Sequence, residues 1–300
     1  MWLRIGQITL LLGLAACTHT PRPQPPLLDP EPVQPAPQPF QPTPEPTTSW
    51  RTLSEEVTPL PHHASWLRLR VRGSEGEVDI SVVRFDSSSC TLRVVDQPQS
   101  WSFTDLLSDS MRSVKAIAGV NGGYFHPDFT PLGLMIANGK RQGQFTRSGL
   151  VSGMICVSDG EPALIWNSES PDTTNASDFL QAGPRLVDAG QPISGLNRTK
   201  VAARTFIATD EHSGWLIGTV HSTTLHGLAE LLTSPGLISG LRIQRALNLD
   251  GGRSTAFYAR TNDGREISQP GWSTVRNYVA VVPREGSDVA TEKDEFKVRL

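Results

Sequence analysis

The chain has 300 residues, a formal net charge of -3 and 37% hydrophobic residues. It is long enough for a substantial core, and it carries no basic field, which argues against nucleic acid as a main partner. No His-Glu-x-x-His and no Gly-x-Ser-x-Gly occurs, so the zincin and serine-hydrolase elbow signatures are both missing.

Residues 1–16 have the layout of an export signal: a single Arg4, an apolar stretch over 8–14 and small residues before Cys17. The stretch is too short to span a bilayer as a helix. Leu14-Ala15-Ala16-Cys17 resembles the cleavage box of bacterial lipoproteins, which implies that Cys17 becomes the lipidated first residue and holds the protein to a membrane. An ordinary signal cut nearby is the plainer alternative. Thr18 in place of Asp leans toward the outer membrane, so the expected location is the bacterial cell envelope, lipid-anchored on the periplasmic face of the outer membrane. Half of the 24 prolines fall between Pro21 and Pro46. Residues 17–49 therefore read as the lipidated Cys and an extended, solvated linker that reaches on the order of 100 Å if fully polyproline-like.

From residue 66 the pattern turns to strands. Residues 66–72 alternate apolar with polar, 78–85 and 90–95 follow after glycine and serine turns as an antiparallel meander, and residues 101–113 have helical spacing with Ser102 or Thr104 as a cap. A strand over 116–120 follows. Asn138-Gly139 between 132–136 and 141–145 is a hairpin signal, because both residues tolerate positive φ. Residues 150–157, 163–166, 179–187, 204–209 and 215–220 read as further strands. Residues 223–234 give the best helix, with Leu225, Leu228, Leu231 and Leu232 on one face and Ser222 or Thr223 as the cap. A strand at 246, a closing strand over 277–282 and a charged tail over 285–300 complete the chain. The expected fold is α+β: a single strand-rich domain over 66–284, with a mixed or antiparallel sheet and a few helices. Cys90 and Cys156 read equally well as a disulfide or as two buried thiols.

Two strand ends carry the chemistry. Residues 246–255 run from an apolar strand into Asp250, Gly251, Gly252, Arg253, Ser254 and Thr255; residues 119–125 run into Asn121, Gly122 and Gly123. Paired glycines let the backbone approach a ligand and offer N–H donors to an anion, and Asp250 adds a proton-transfer group. Arg185, Arg204 and Arg253 are candidates for phosphate, since a guanidinium presents a planar fork of donors. Asn121 and Asn248 can bind hydroxyls or simply close turns. His126 is a possible acid or base, or a solvated loop residue.

Asn121-Gly122-Gly123-Tyr124-Phe125, Ala182-Gly183-Pro184-Arg185-Leu186-Val187, Arg204-Thr205 and Asn248-Leu249-Asp250-Gly251-Gly252-Arg253-Ser254-Thr255 stand in the order and approximate spacing of the phosphodiester glycosidase family, which the chain resembles over most of residues 82–283. The resemblance implies hydrolysis of a sugar-1-phosphodiester at the anomeric carbon, giving free sugar and a phosphomonoester. On it, Asp250 is the catalytic carboxylate, with Asn121 and Asn248 beside it orienting the sugar or the loops. Arg185 and Arg204, together with the Gly122, Gly123, Gly251 and Gly252 amides, hold the phosphate. Arg253, Ser254, Thr255 and His126 complete the expected binding set, with neither metal nor cofactor. Arg253 departs from the commonest family pattern, in which a third glycine often stands. The rival functions are a non-catalytic envelope protein that binds glycan or phosphosugar with the same loops, and a calcium loop starting at Asn248. The calcium reading is weakened by Ala259, which stands where a bidentate Glu belongs, and sensitivity to chelator separates it.

Overall fold

The computed structural model describes residues 50–97 and 106–284. The expected signal, Cys17, the proline-rich linker, the caps Ser102 and Thr104 and the charged tail lie outside these residues. In chain order the strands are β1 (Arg51–Pro59), β2 (Ser65–Gly73), β3 (Gly76–Asp86), β4 (Cys90–Asp96), β5 (Ala118–Asn121), β6 (Met135–Ala137), β7 (Lys140–Gln142), β8 (Gly153–Ser158) and β9 (Glu161–Trp166). They continue with β10 (Ala176–Ala182), β11 (Arg185–Asp188), β12 (Gln191–Pro192), β13 (Ala202–Thr209), β14 (Gly214–Thr223), β15 (Arg245–Asn248), β16 (Phe257–Arg260), β17 (Glu266–Gln269) and β18 (Asn277–Pro283). Helix α1 (Leu106–Ser113) precedes β5, and α2 (Leu225–Thr233) lies between β14 and β15.

The strands form an eight-stranded sheet in the order β1-β2-β3-β14-β13-β15-β11-β12 and two five-stranded sheets, β7-β6-β10-β8-β9 and β17-β16-β5-β18-β4. Every pairing among the described residues is antiparallel. The α+β expectation thus resolves to a mostly β fold with no parallel pair. The largest buried cluster draws on all three sheets, through residues such as Val83, Val120, Ile155, Leu180, Ile207 and Leu247.

The Asn-Gly hairpin and the second helix both form where expected. Asn138 and Gly139 both have positive φ, +48° and +75°, and close the β6–β7 hairpin as the Asn-Gly pair requires. The predicted helix over 223–234 is α2, but its cap is Thr224, whose hydroxyl accepts the Gly227 N–H at 2.9 Å, not Ser222 or Thr223. Glu75 reinforces that end: its carboxylate accepts from the Thr224 hydroxyl at 2.5 Å and the Thr224 N–H at 3.1 Å, where the helix terminus favours negative charge. Cys90 and Cys156 are separate buried thiols, and burial pushes the Cys90 thiol up to about 11.

Other elements are corrections. The span read as one strand over 179–187 breaks at Gly183-Pro184, so that β10 belongs to a five-stranded sheet and β11 to the eight-stranded one. A Cβ on Gly183 would lie 2.5 Å from the Leu150 carbonyl oxygen, so only glycine fits this switch point. Strands β1, β12, β16 and β17 had no sequence reading. β1 is exposed at nearly every position and, as an edge strand, has no buried face for periodicity to report. It still extends the sheet before residue 66. Trp50 ahead of it is buried over Gly73, where a Cβ would come within 2.5 Å of the indole.

The chain passes from β15, inside the eight-stranded sheet, through a single 3-10 turn (Gly252–Ser254) to β16, which pairs with β5 in a different sheet. The Asp250 loop is therefore the crossing between two sheets. Its end faces the end of β5, where Asn121 stands.

Candidate active site

The two Asx-Gly-Gly loops bond directly to each other. The Asp250 N–H donates to the Gly122 carbonyl at 2.9 Å, and Asn121 Nδ2 donates to the Asp250 carbonyl at 2.6 Å. Asn121 Oδ1 accepts from the Thr205 hydroxyl at 2.7 Å and the Ala256 N–H at 3.0 Å. Asn121 is wholly buried, and its amide is spent on three neighbouring segments. It positions the loops and does not itself face a sugar, so the catalytic expectation for Asn121 gives way to a positioning one.

The third motif joins at Asn248. Its Nδ2 donates to the Gly183 carbonyl and to the Tyr124 hydroxyl, both at 2.9 Å, while Tyr124 donates to the same Gly183 carbonyl at 2.8 Å. Asn248 too serves to fix the loops, and its buried Oδ1 has no protein partner among the described residues.

Arg204 reaches the same place through strand register. Phe206 pairs with Asn248 across β13 and β15, and the Leu249 N–H donates to the Thr205 carbonyl at 2.8 Å. The next facing positions are thus Arg204 and Asp250. Consistent with this, a Cβ on Gly251 would lie 2.8 Å from the Ala203 carbonyl oxygen and 3.7 Å from Arg204 Cα. The Arg204 side chain is buried, with Nε donating to the Thr223 carbonyl at 3.2 Å and Nη2 to the Lys200 carbonyl at 2.5 Å. No carboxylate among the described residues forms an ion pair with it. Burial lowers its pKa from the arginine value, against the charges of Tyr124 and Glu75.

Burial also holds the Asp250 carboxyl above the usual aspartate range, against the opposing pull of the Ser254 hydroxyl and the Gly251 N–H, which donates to Oδ1 at 2.9 Å. Tyr124 is pushed up to about 12, first by burial and then by the Asp250 charge, with Arg204 acting in the other direction. These mutual influences place a desolvated carboxylate, a phenol and a buried guanidinium in one electrostatic neighbourhood.

The glycine amides are largely committed elsewhere. Asn277 takes both of the first pair: its carbonyl accepts the Gly122 N–H at 2.9 Å and its Oδ1 the Gly123 N–H at 2.7 Å. These two amides are not open to phosphate, contrary to expectation. Gly251 donates to Asp250. Gly252, at φ +63° with open space where a Cβ would stand, is the glycine of the set whose amide is left for a ligand.

The remaining expected residues divide. Ser254 is buried beside Asp250, and its hydroxyl lies 3.4 Å from that of Ser273; the Thr255 hydroxyl is buried without a partner among the described residues. Arg253 is exposed. Arg185 does not join Asp250: its guanidinium lies 5.4 Å from the Trp166 ring centre, with Nη1 3.4 Å from Asp188. It lines a separate recess of about 410 Å³ with Arg147, Ser148, Ser152, Asn167 and Ser168. His126 is exposed in a turn closed by its own N–H to the Thr130 carbonyl at 2.8 Å, next to Asp128 rather than Asp250. The sequence reading passed over Tyr124, Thr205, Asn277 and Glu75 as site residues. Asn277 carried a usable signal, as a buried amide heading the apolar run 278–282; Glu75, on an exposed turn, carried none.

A strand-rich domain thus brings a part-buried carboxylate, Asp250, and a buried guanidinium with no ion pair among the described residues, Arg204, to the junction of three loops. The chain belongs to the phosphodiester glycosidase family, whose family model matches residues 114–282. Among solved structures it is similar to the catalytic domain of zebrafish N-acetylglucosamine-1-phosphodiester alpha-N-acetylglucosaminidase auto-inhibited by its pro-peptide. That match has 16% identity and a TM-score of 0.56, and covers 79% of this chain and 89% of that one. A hypothetical protein from Synechocystis matches at 15% identity with a TM-score of 0.51, over 74% of this chain and 62% of that one. At such identities the likeness is one of fold. No curated protein matches the chain.

Proposed function

We propose that the domain hydrolyses a sugar-1-phosphodiester at the anomeric carbon. The observation that carries this reading is that Asp250, raised in pKa by burial, and Arg204, buried and free of any carboxylate ion pair among the described residues, stand at facing strand positions and both act on Tyr124. A buried cation without a counter-ion is costly unless an anion arrives to pair with it, and the phosphodiester is that anion. The carboxylate then stands ready for the carbon side of the scissile bond.

In the reaction the anomeric C–O bond breaks and its electron pair goes to the phosphate oxygen. Water supplies the oxygen of the new C–O bond, and its proton passes to Asp250, whose raised pKa suits a base. Arg204 and the Gly252 N–H offset the charge that gathers on the departing phosphomonoester. The phosphate is already a fair leaving group, so the step asks for less acid assistance than an ordinary glycoside. Tyr124, Asn121 and Asn248 hold the loops. Membership of the family, together with the four ordered motifs, supports the sugar phosphodiester as substrate class.

We place the activity at the bacterial envelope, with the domain held by lipid on Cys17 and spaced off the membrane by the proline-rich stretch. The cleavage-box resemblance and the proline content support this. The test of function is release of sugar and phosphomonoester from a panel of α- and β-linked sugar-1-phosphodiesters, with UDP-sugars included. Turnover that collapses in Asp250→Asn supports the reading; tight binding by both proteins without turnover would leave a glycan-binding protein in its place.

A further inference from the structure

Five tryptophans lie among the described residues. Trp50, Trp66, Trp166 and Trp215 are buried, whereas Trp272 is 87% exposed. An indole presents on the order of 200 Å² of largely apolar surface, and leaving it in water forgoes that burial. Looseness of the segment does not explain it. The Trp272 N–H donates to the Arg253 carbonyl at 2.7 Å and the Ser273 N–H to the same oxygen at 3.1 Å. A Cβ on Gly271 would lie 2.8 Å from the Arg253 carbonyl oxygen and 2.9 Å from that of Ser254. Three residues further on, Val275, Arg276 and Asn277 are buried. The backbone that carries Trp272 is thus fastened to the loop that carries Asp250, and the indole projects from it into solvent.

We propose that Trp272 is the stacking platform of a sugar subsite at the rim of the Asp250 loop. It takes a pyranose ring on the alcohol side of the phosphodiester, so that the substrate class is a glycan whose sugars are joined through phosphate. This rests on the hydrolytic reading above. One face of a pyranose is a set of C–H bonds that meet the negative face of an indole. Arg253, whose carbonyl anchors the platform, has an exposed guanidinium with no ion pair among the described residues, and supplies charge-assisted donors to hydroxyls or phosphate. An indole exposed to this extent has no wall opposite it. That suits a ring on a chain running on past the site, whereas a compact nucleotide is enclosed over most of its surface when bound.

The test is calorimetric binding to the full chain in detergent, in an Asp250→Asn background that prevents turnover, with Trp272 intact or replaced. The probes are a sugar-1-phospho-6-sugar, the methyl ester of the same sugar-1-phosphate, and a UDP-sugar. Trp272→Ala is expected to raise Kd for the sugar–phosphate–sugar about tenfold, to change that for the methyl ester less than twofold, and to be largely rescued by Trp272→Tyr. Equal weakening for the two diesters, no weakening, weakening confined to the UDP-sugar, or no binding of either diester overturns the proposal. Turnover by the Asp250-containing protein is read separately. If the Kd contrast holds without turnover, the hydrolytic reading fails and the subsite stands; turnover without the contrast removes the subsite alone.

Discussion

Replacing Arg204 by methionine separates the chemistry of the site from the stability of the fold. Methionine keeps much of the side-chain volume and flexibility but removes the charge and the donors. Two bonds to the Thr223 and Lys200 carbonyls are lost, each worth about 1 kcal/mol net, and more where the carbonyl is left dry. Against this, the buried cation has no ion pair among the described residues, and its removal relieves a desolvation cost of several kcal/mol. The two nearly cancel, so the expected change in stability is within about 2 kcal/mol, or about 6 °C in Tm for a domain of this size. Activity is another matter. Loss of a preorganised donor to the developing charge costs about 3–4 kcal/mol, or about 10²–10³ in kcat/KM. Arg204→Lys keeps the charge without the fork and should fall between. Arg276 is the control, because it is buried and paired with Asp96 and Gln142. Arg276→Met leaves Asp96 uncompensated and is expected to cost about 3 kcal/mol, discounted for the partial exposure of Asp96. The assays are sugar release and thermal unfolding of both variants. The reasoning is refuted if Arg204→Met keeps kcat/KM within tenfold, or if it loses as much stability as Arg276→Met.

Three further outcomes are expected. Because burial raises the Asp250 pKa, the folded state binds that proton more tightly than the unfolded chain; the stability so gained is complete below the unfolded value of 3.8 and lost as pH rises through the raised one. Asp250→Asn should therefore be more stable than the parent at neutral pH, with the difference shrinking toward zero below about pH 4. Asp178 titrates in the same direction, so the difference between the two proteins, measured by denaturant unfolding across pH, is the quantity to follow; a constant difference would show that Asp250 is not strained by burial. Gly122→Ala places a Cβ 1.9 Å from Asn277 Oδ1, and should cost about 1–3 kcal/mol and most of the activity, with Asn277→Ala restoring part of the stability in the double variant. Cys17→Ser should abolish incorporation of labelled palmitate and release the protein from the membrane fraction; unchanged fractionation would remove the lipid anchor.

What could be read from the sequence followed burial contrast. β2 and β3 each have a buried and an exposed face over part of their length, and α2 carries its leucines on one side, so both periods were visible. β1 has no buried face, and β16 and β17 are four residues each, too short for a period to establish itself. The break in the 179–187 span was signalled by Gly183-Pro184, yet the fact that it switches sheets depends on Leu150 and Ser152 lying against Gly183, contacts far apart in sequence.

The same limit governs the site. Asn, Gly and Asp serve equally well in gripping a ligand and in gripping one another, since the small side chains and free amides that suit a phosphate also suit a tight junction between loops. Sequence alone offers no way to decide which. In Asn121, Gly122 and Gly123 the second use prevails: their polar groups bond to Asp250, Thr205, Ala256 and Asn277. Arg204 is different, and there the sequence held a physical clue besides the motif. It stands in β13, where Thr205, Phe206, Ile207 and Ala208 are all buried, so the strand has no wet face to receive it. A guanidinium retained in such a strand without a carboxylate to neutralise it is a cost to the fold, and that cost is the strongest reason to look for an anion at Asp250.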